Sequence, residues 1–285
     1  MNDELREIKK DGYLRQLIEE KGLSDDYVES HLSLFRRVRE SRTLCENCPG
    51  LSFCPQSKKG ERLSLSYDGA LLREAEHCPK YLESKKRSDF LSSYVYSDIS
   101  ENLADLSLSD VEIDEKGIQG LLIECYDILD EKRDKGLYIA GDLGVGKTYV
   151  CTALANDLVR KGKKVAFVKV SDFINDMRRS VTTDTKRYDT LIRKLQEAEV
   201  LFLDDIGSES VSSFSRDDVL FTILDDRMEN KRMTLFTSNL NRDDLSKHFT
   251  YDKNDRSSAM NAKRLSERIR ILSDEYVLTG RNKRN

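Results

Sequence analysis

Tryptophan is absent from this sequence, proline occurs only three times, and no run of apolar residues approaches the roughly twenty that a membrane-spanning helix needs. The missing tryptophan removes the strongest aromatic platform for stacking on bases, and the scarcity of proline excludes a proline-rich linker. The missing apolar run leaves no candidate membrane span, so no membrane partner is expected. A secretion signal is also lacking: Met1-Asn2-Asp3-Glu4-Leu5 is not a basic segment leading into an apolar one. The expected compartment is therefore the reducing cytoplasm, where cysteines more often hold metal than form disulfides. There is no excess of positive charge either. The 48 Lys and Arg face 52 Asp and Glu, a net charge of −4, which excludes an evenly basic nucleic-acid coat but leaves room for a local basic patch.

What is present suits a globular chain, 35% charged and 38% hydrophobic, whose 285 residues are comfortable for two domains. Leu14, Leu17 and Ile18, then Val28, Leu32 and Phe35, recur at helical spacing, and Ser24 is placed to cap a helix before Asp25-Asp26. Between Leu44 and Tyr81 that pattern breaks into short runs holding four of the six cysteines. A small core there needs a staple. A polar stretch from Lys85 to Ser109 follows, and the domain boundary is placed near residue 90, giving domains 1–90 and 91–285. Beyond it, Leu121–Leu129 and Thr148–Val159 read as helices. Leu137–Ala140, Val165–Val170, Val200–Leu203, Thr234–Thr237 and Tyr276–Leu278 read as short buried strands. Strands alternating with helices predict an α/β fold built on a parallel sheet.

Gly141-Asp142-Leu143-Gly144-Val145-Gly146-Lys147-Thr148 fits the Walker A pattern between a predicted strand and a predicted helix. Glycines let backbone N–H groups turn toward phosphates, the helix start adds partial positive charge, Lys147 reaches the β and γ oxygens, and Thr148 offers a hydroxyl to Mg²⁺. Val200-Leu201-Phe202-Leu203-Asp204-Asp205 supplies the companion Walker B strand. Asp204 is the candidate Mg²⁺ holder; Asp205 either polarises the attacking water or caps the turn at Ile206-Gly207. Bound ATP is the expected consequence. At the end of the next strand, Asn239 either faces the γ-phosphate or opens the turn before Asn241-Arg242-Asp243.

Cys45-Glu46-Asn47-Cys48 has the two-residue spacing with which thiolates grip one ion, and Cys54 and Cys78 complete a tetrahedral set for Zn²⁺. His77, beside Cys78, can replace one of them, and unligated core cysteines are the alternative. Cys125 and Cys151 fall on predicted helices and read as core residues.

With these motifs assembled, Gly-Leu-Tyr-Ile-Ala-Gly-Asp-Leu-Gly-Val-Gly-Lys-Thr, Leu-Phe-Leu-Asp-Asp-Ile-Gly and Phe-Thr-Ser-Asn-Leu resemble the DnaC/DnaI clade of AAA+ ATPases, which load replicative helicases. The resemblance covers residues from about 95 to 285, and more loosely the cysteine module. It implies an AAA+ P-loop sheet without a full carboxyl-terminal lid, preceded by a small α-rich zinc-binding domain that engages the hexameric replicative helicase. It also implies ATP hydrolysis, single-stranded DNA binding and self-assembly through AAA+ interfaces during primosome assembly. Asn239 then matches a sensor residue. Arg268, in Arg264-Leu265-Ser266-Glu267-Arg268, matches the arginine finger that reaches a neighbouring subunit, unless it pairs on the surface with Glu267 or Asp274.

Two departures stand out. Asp205 occupies a position where many AAA+ proteins carry Glu, and no histidine lies between Cys54 and His77 to match one often found in the family's zinc site. Basic residues Arg178, Arg179, Lys186, Arg187, Arg193 and Lys194 occupy the place of the clade's DNA-channel helix, unless they only face solvent. Residues 256–285 carry a second basic excess, eight against three acidic. Competing readings are an IstB-like transposition helper ATPase, which normally lacks a zinc module, and an ATP-binding adaptor with negligible turnover.

Overall fold

The structure, a computed structural model, describes residues 3–113, 116–250 and 256–283. Arg284, counted in the basic carboxyl-terminal stretch, lies outside the described residues. The chain divides into two compact units, Met1–Lys86 and Arg87–Asn285.

In the first unit, α1 (Asp3–Lys10), α2 (Gly12–Lys21), α3 (Asp25–Ser30) and α4 (Leu32–Glu46) follow one another closely. Local chemistry sets their ends. Asp11 accepts from Leu14 N at the start of α2, Gly22 closes that helix at φ 60°, and Ser24 accepts from Tyr27 N at the start of α3. Leu14, Ile18, Val28 and Phe35 turn inward and are buried together. Burial of that kind contributes roughly 1.5–3 kcal/mol per large side chain.

A hairpin not foreseen in the sequence completes this core: β1 (Glu61–Tyr67) pairs antiparallel with β2 (Leu71–His77). The alternation of Leu63 and Leu65 with Arg62, Ser64 and Ser66, followed by Asp68-Gly69, is the physical signal for it, since Gly69 takes the φ of 76° that the turn requires. Tyr13 ties the helices to the hairpin, its hydroxyl donating to Leu65 O and accepting from Leu65 N, both at 3.0 Å. The unit is thus α-rich, as expected, with one β-hairpin added to its helices.

Helix α5 (Pro79–Leu91) spans the division between the units. It buries no side chain fully, which is why its sequence reads as a polar linker. In the second unit, β3 (Tyr96–Ser97), α6 (Lys116–Leu129), β4 (Gly136–Ala140), α7 (Lys147–Arg160), β5 (Val165–Lys169), α8 (Val170–Thr183), α9 (Thr185–Glu197) and β6 (Val200–Asp204) follow in order. A π-helical turn (Phe214–Phe221) leads into α10 (Thr222–Glu229), β7 (Met233–Ser238), α11 (Arg242–His248), α12 (Arg256–Leu272) and β8 (Ser273–Val277).

Among the described residues six strands form one sheet in the order β3-β5-β6-β7-β4-β8, every pairing parallel. Strand residues alternate between its faces as their period of two dictates. Leu137 and Ile139 pack with Leu121, Cys125, Val150 and Leu154 from α6 and α7. Tyr138 and Ala140 pack on the other side with Phe173, Leu195, Ile223 and Leu265 from α8, α9, α10 and α12. Cys125 and Cys151 are buried in the first of these layers, where desolvation pushes the Cys125 thiol up to about 12. They are core residues, as read. The strand order has one consequence for chemistry. Because β7 lies between β4 and β6, the residues after β7 emerge between the phosphate-binding loop and the paired aspartates.

Candidate nucleotide site

The loop from Gly141 to Gly146 joins the end of β4 to the start of α7. Gly144 and Gly146 take φ values of 82° and 103°, where a side chain is strained. Lys147, the first residue of α7, is buried with its ammonium donating to Gly141 O at 2.7 Å, Asp142 O at 2.8 Å and Asn239 Oδ1 at 2.8 Å. Asp142 and Leu143 are exposed at the loop tip, and Val145 is buried beneath it.

Asp204, the last residue of β6, is only 6% exposed, and its Oδ1 accepts from Thr148 Oγ1 at 2.8 Å and Thr237 Oγ1 at 2.6 Å. Burial raises its carboxyl above the usual range, against the pull of the Thr237 and Thr148 hydroxyls; Asp205 adds to the rise and Lys147 opposes it. A buried carboxylate beside a threonine hydroxyl, with too little positive charge around it, is a donor set that fits Mg²⁺.

Asp205 adopts φ 57°, one of three described non-glycine residues with positive φ. Its backbone N–H is held by Thr237 Oγ1 at 2.8 Å, and its carbonyl accepts from Ser208 Oγ at 2.7 Å. The side chain therefore faces Asn239, whose Nδ2 donates to Asp205 Oδ1 at 3.1 Å. Asn239 does not merely open a turn. That task falls to Asn241, which caps α11 through Asp244 N.

A cleft of about 820 Å³ opens here, lined by Gly144, Lys147, Thr148, Asp204, Asp205 and Asn239. No motif marks its remaining wall. Asp98, Ile99 and Leu103 come from the polar stretch, Val111 from just beyond it, Ile118 from the start of α6, Lys169 from the end of β5, and Lys283 from the segment after β8. Local patterning could not assign them, since only the chain's return to the sheet edge brings them to the loop.

Arg268 is not brought to the cleft of its own chain. Its Nε donates to Asp225 Oδ1 of α10 at 2.9 Å, a partner the sequence did not suggest, while Glu267 pairs with Arg270 and Asp274 with Arg133. Arg264 and Arg268 do share a face, their guanidinium groups lying 4.8 and 5.0 Å from the centre of the Phe221 ring. Of the other basic segment, Arg178, Arg179, Lys186, Arg187, Arg193 and Lys194 are exposed on α8 and α9, with Arg187 paired to Asp176 at 2.7 Å.

The four cysteines of the first unit are free and half-buried. Cys45 lies in the last turn of α4 and accepts from Gln56 Nε2 at 3.2 Å, and Cys48 follows in a turn closed by its N–H to Cys45 O. The backbone N–H groups of Gly60 and Gln56 face the Cys54 sulfur and hold its thiol below the ordinary range. Cys78 follows β2, with its N–H on Gly60 O at 2.8 Å, while His77 stacks on Tyr81. The donor chemistry suits Zn²⁺, but among the described residues no three Cys, His, Asp or Glu side chains are gathered tightly enough to hold one. The expected zinc-binding domain is not established by this arrangement.

A family model described as IstB-like ATP binding protein matches residues 79–275. The replicative helicase loader DnaI of Bacillus subtilis (strain 168) is 30% identical over 274 residues, which span 93% of this chain and 86% of that protein. The chain belongs to the family of DnaI and the IstB-like ATP-binding proteins. Its match to DnaI takes in most of residues 1–78, which the IstB-like family model does not reach. The replicative helicase loader DnaC of Escherichia coli (strain K12) is 27% identical over 108 residues, 38% of this chain and 44% of DnaC. Among solved structures, a crystal structure of DnaI superposes with a TM-score of 0.58 at 32% identity, covering 68% of this chain and 99% of that one. An ATP-binding parallel α/β domain, with helices on both faces of its sheet, is therefore common to this chain and the DnaI family.

Proposed function

We propose that this protein is an ATP-dependent loader of the replicative DNA helicase, acting on single-stranded DNA during primosome assembly. The observation that carries the reading is the similarity to DnaI across 93% of the chain, through both units. An IstB-type transposition helper is favoured by the family model's description, but that match begins only at residue 79.

In this reading the cleft binds ATP with its base against Ile99, Leu103, Val111 and Ile118 and its phosphates on the loop from Gly141 to Thr148. Lys147 exchanges its bonds to Gly141 O, Asp142 O and Asn239 for the β and γ oxygens, keeping its N–H donors satisfied throughout. Thr148 and Asp204 hold Mg²⁺, which supplies charge neutralisation between the phosphates when bound. Asp205 accepts a hydrogen bond from the attacking water, and Asn239, released by Lys147, senses the γ-phosphate. Arg268 serves the site of a neighbouring subunit after leaving Asp225, so that hydrolysis depends on self-assembly.

The first unit engages the hexameric helicase, with Zn²⁺ on Cys45, Cys48, Cys54 and Cys78 closing the segment between α4 and β2. Arg178 and Arg179 face single-stranded DNA, where phosphate contacts make binding steeply salt-dependent. Co-purification with the host replicative helicase, with and without ATP, tests the loader reading. A complex is expected, and absence of association in both nucleotide states refutes it. Single-turnover measurement on that complex distinguishes an enzyme from an adaptor that binds ATP without cleaving it.

A further inference from the structure

The segment after β8 returns to the phosphate-binding loop twice. Leu278 N donates to Ala140 O at 2.7 Å, extending the β8–β4 pairing by one residue, and the Leu278 side chain is buried. Its carbonyl oxygen lies 2.3 Å from where a Cβ on Gly141 would sit, so glycine there is a condition of the contact. Farther on, Lys283 N donates to Gly144 O at 2.9 Å, and Asn282 Oδ1 lies 2.0 Å from the place of a Cβ on Gly144. Lys283 itself lines the cleft together with Lys147, Thr148, Asp204 and Asp205.

We propose that Leu278–Lys283 is a strap that clasps the phosphate-binding loop from outside, and that Lys283 contacts the phosphate chain of bound nucleoside triphosphate as a second cation beside Lys147. The proposal rests on the reading of the cleft as an ATP site.

Three observations support it. The strap's backbone bonds go to the carbonyl groups of Ala140 and Gly144, so they leave the N–H donors of the loop, which a phosphate needs, unconsumed. These backbone bonds do not compete with a phosphate for the loop. The charge balance of the cleft also calls for a further cation. Asp98, Asp110, Glu112, Asp204 and Asp205 line it, five carboxylates against Lys147, Lys169 and Lys283. A triphosphate adds more negative charge to this wall, and a lysine on a flexible four-carbon stem can follow it. Finally, Gly144 meets Asn282, the neighbour of Lys283, so the strap is anchored at the loop tip rather than lying across open solvent.

Binding of fluorescent ATP and ADP analogues to the full chain, in parent, Lys283→Ala, Lys283→Glu, Lys283→Arg and Lys147→Ala forms, tests the proposal. Lys283→Ala is expected to weaken ATP by roughly tenfold, the scale of one charge-assisted contact at a partly exposed site. Lys283→Glu should weaken it further and Lys283→Arg should restore it, with ADP less affected and the melting temperature without nucleotide unchanged. Unaltered ATP affinity in Lys283→Ala and Lys283→Glu, beside a parent that binds and a Lys147→Ala that does not, overturns the strap's role alone. Tighter ATP binding after truncation at Thr279 overturns it too, since the strap would then obstruct the site. A parent that binds neither nucleotide overturns the reading of the cleft and the proposal together.

Discussion

Lys147 Nζ donates to Asn239 Oδ1 at 2.8 Å, and the other end of the same amide donates to Asp205 Oδ1 at 3.1 Å. One side chain at the end of β7 thus joins the loop lysine to the carboxylate beyond β6. Removing the two ends of this link should have separable effects. Lys147→Ala should weaken ATP by at least about tenfold, since it deletes a charge-assisted donor to the terminal phosphates. Asn239→Ala leaves Lys147 its two carbonyl partners and should keep affinity within a few-fold while turnover falls. Titration calorimetry and steady-state hydrolysis distinguish them, and equal affinity in Lys147→Ala and parent would show that the Walker assignment is wrong.

The left-handed backbone of Asp205 explains why a short acidic residue stands there. Asp and Asn tolerate φ near 57° because they bond locally, whereas a longer side chain pays a steric cost of about 1 kcal/mol. Asp205→Asn is expected to keep the melting temperature and ATP affinity but slow hydrolysis by about a hundredfold or more, the range for a lost general base. Asp205→Glu should unfold at lower temperature. A stable Asp205→Glu variant would remove backbone strain as the reason.

Because burial raises the Asp204 carboxyl above its unfolded value, its contribution to stability is full below the unfolded value. It is lost as pH rises through the folded one. The charged form therefore weakens the metal-free protein at neutral pH. Asp204→Asn, which preserves an oxygen for Thr148 and Thr237, should melt higher than the parent at pH 7 without nucleotide and gain less from added Mg²⁺ and ATP. The difference in melting temperature should shrink toward acidic pH. Thermal unfolding between pH 4 and 8 checks the sign.

Arg268 must exchange Asp225 for a phosphate if it serves a neighbouring site. Arg268→Ala is expected to leave ATP affinity of the isolated chain intact and to lower turnover in the presence of helicase and single-stranded DNA. Mixing it with Lys147→Ala subunits should restore part of the activity at hybrid interfaces. Turnover equal to the parent's in the assembled state would leave Arg268 as no more than a partner of Asp225 and Phe221.

For the cysteines, the expected result is one equivalent of Zn²⁺ in protein purified without chelator, with chelation lowering the melting temperature of the first unit. Metal analysis that finds none refutes the site. Zinc retained in a Cys54→Ser variant would shift the ligand set toward His77, which would then have to leave its stacking contact with Tyr81.

The sequence by itself determined the chemistry-bearing loop and the strands around it. Gly144, Gly146, Lys147 and Thr148 act through backbone geometry and helix-start charge that a dozen contiguous residues supply. The apolar runs of β4, β5, β6 and β7 are short and bounded because each is buried on both faces. The hairpin of β1 and β2 is legible too, in the alternation of Leu63 and Leu65 with polar residues and in its Asp68-Gly69 turn.

Only the tertiary structure decided which distant residues meet. The two-residue strand β3 is too short to carry a pattern, yet Val95 N bonds Val165 O at 2.8 Å because β5 offers it an open edge. Arg227 looks like any helix arginine, but it is fully buried, and its guanidinium donates to Leu195 O, Ala198 O and Met233 O. Asp225 claims Arg268 across 43 residues, and the tail brings Lys283 to Gly144 across more than a hundred. A motif is written in neighbouring residues because its chemistry is local, whereas a salt bridge or a strap depends on where packing of the whole sheet sends the chain.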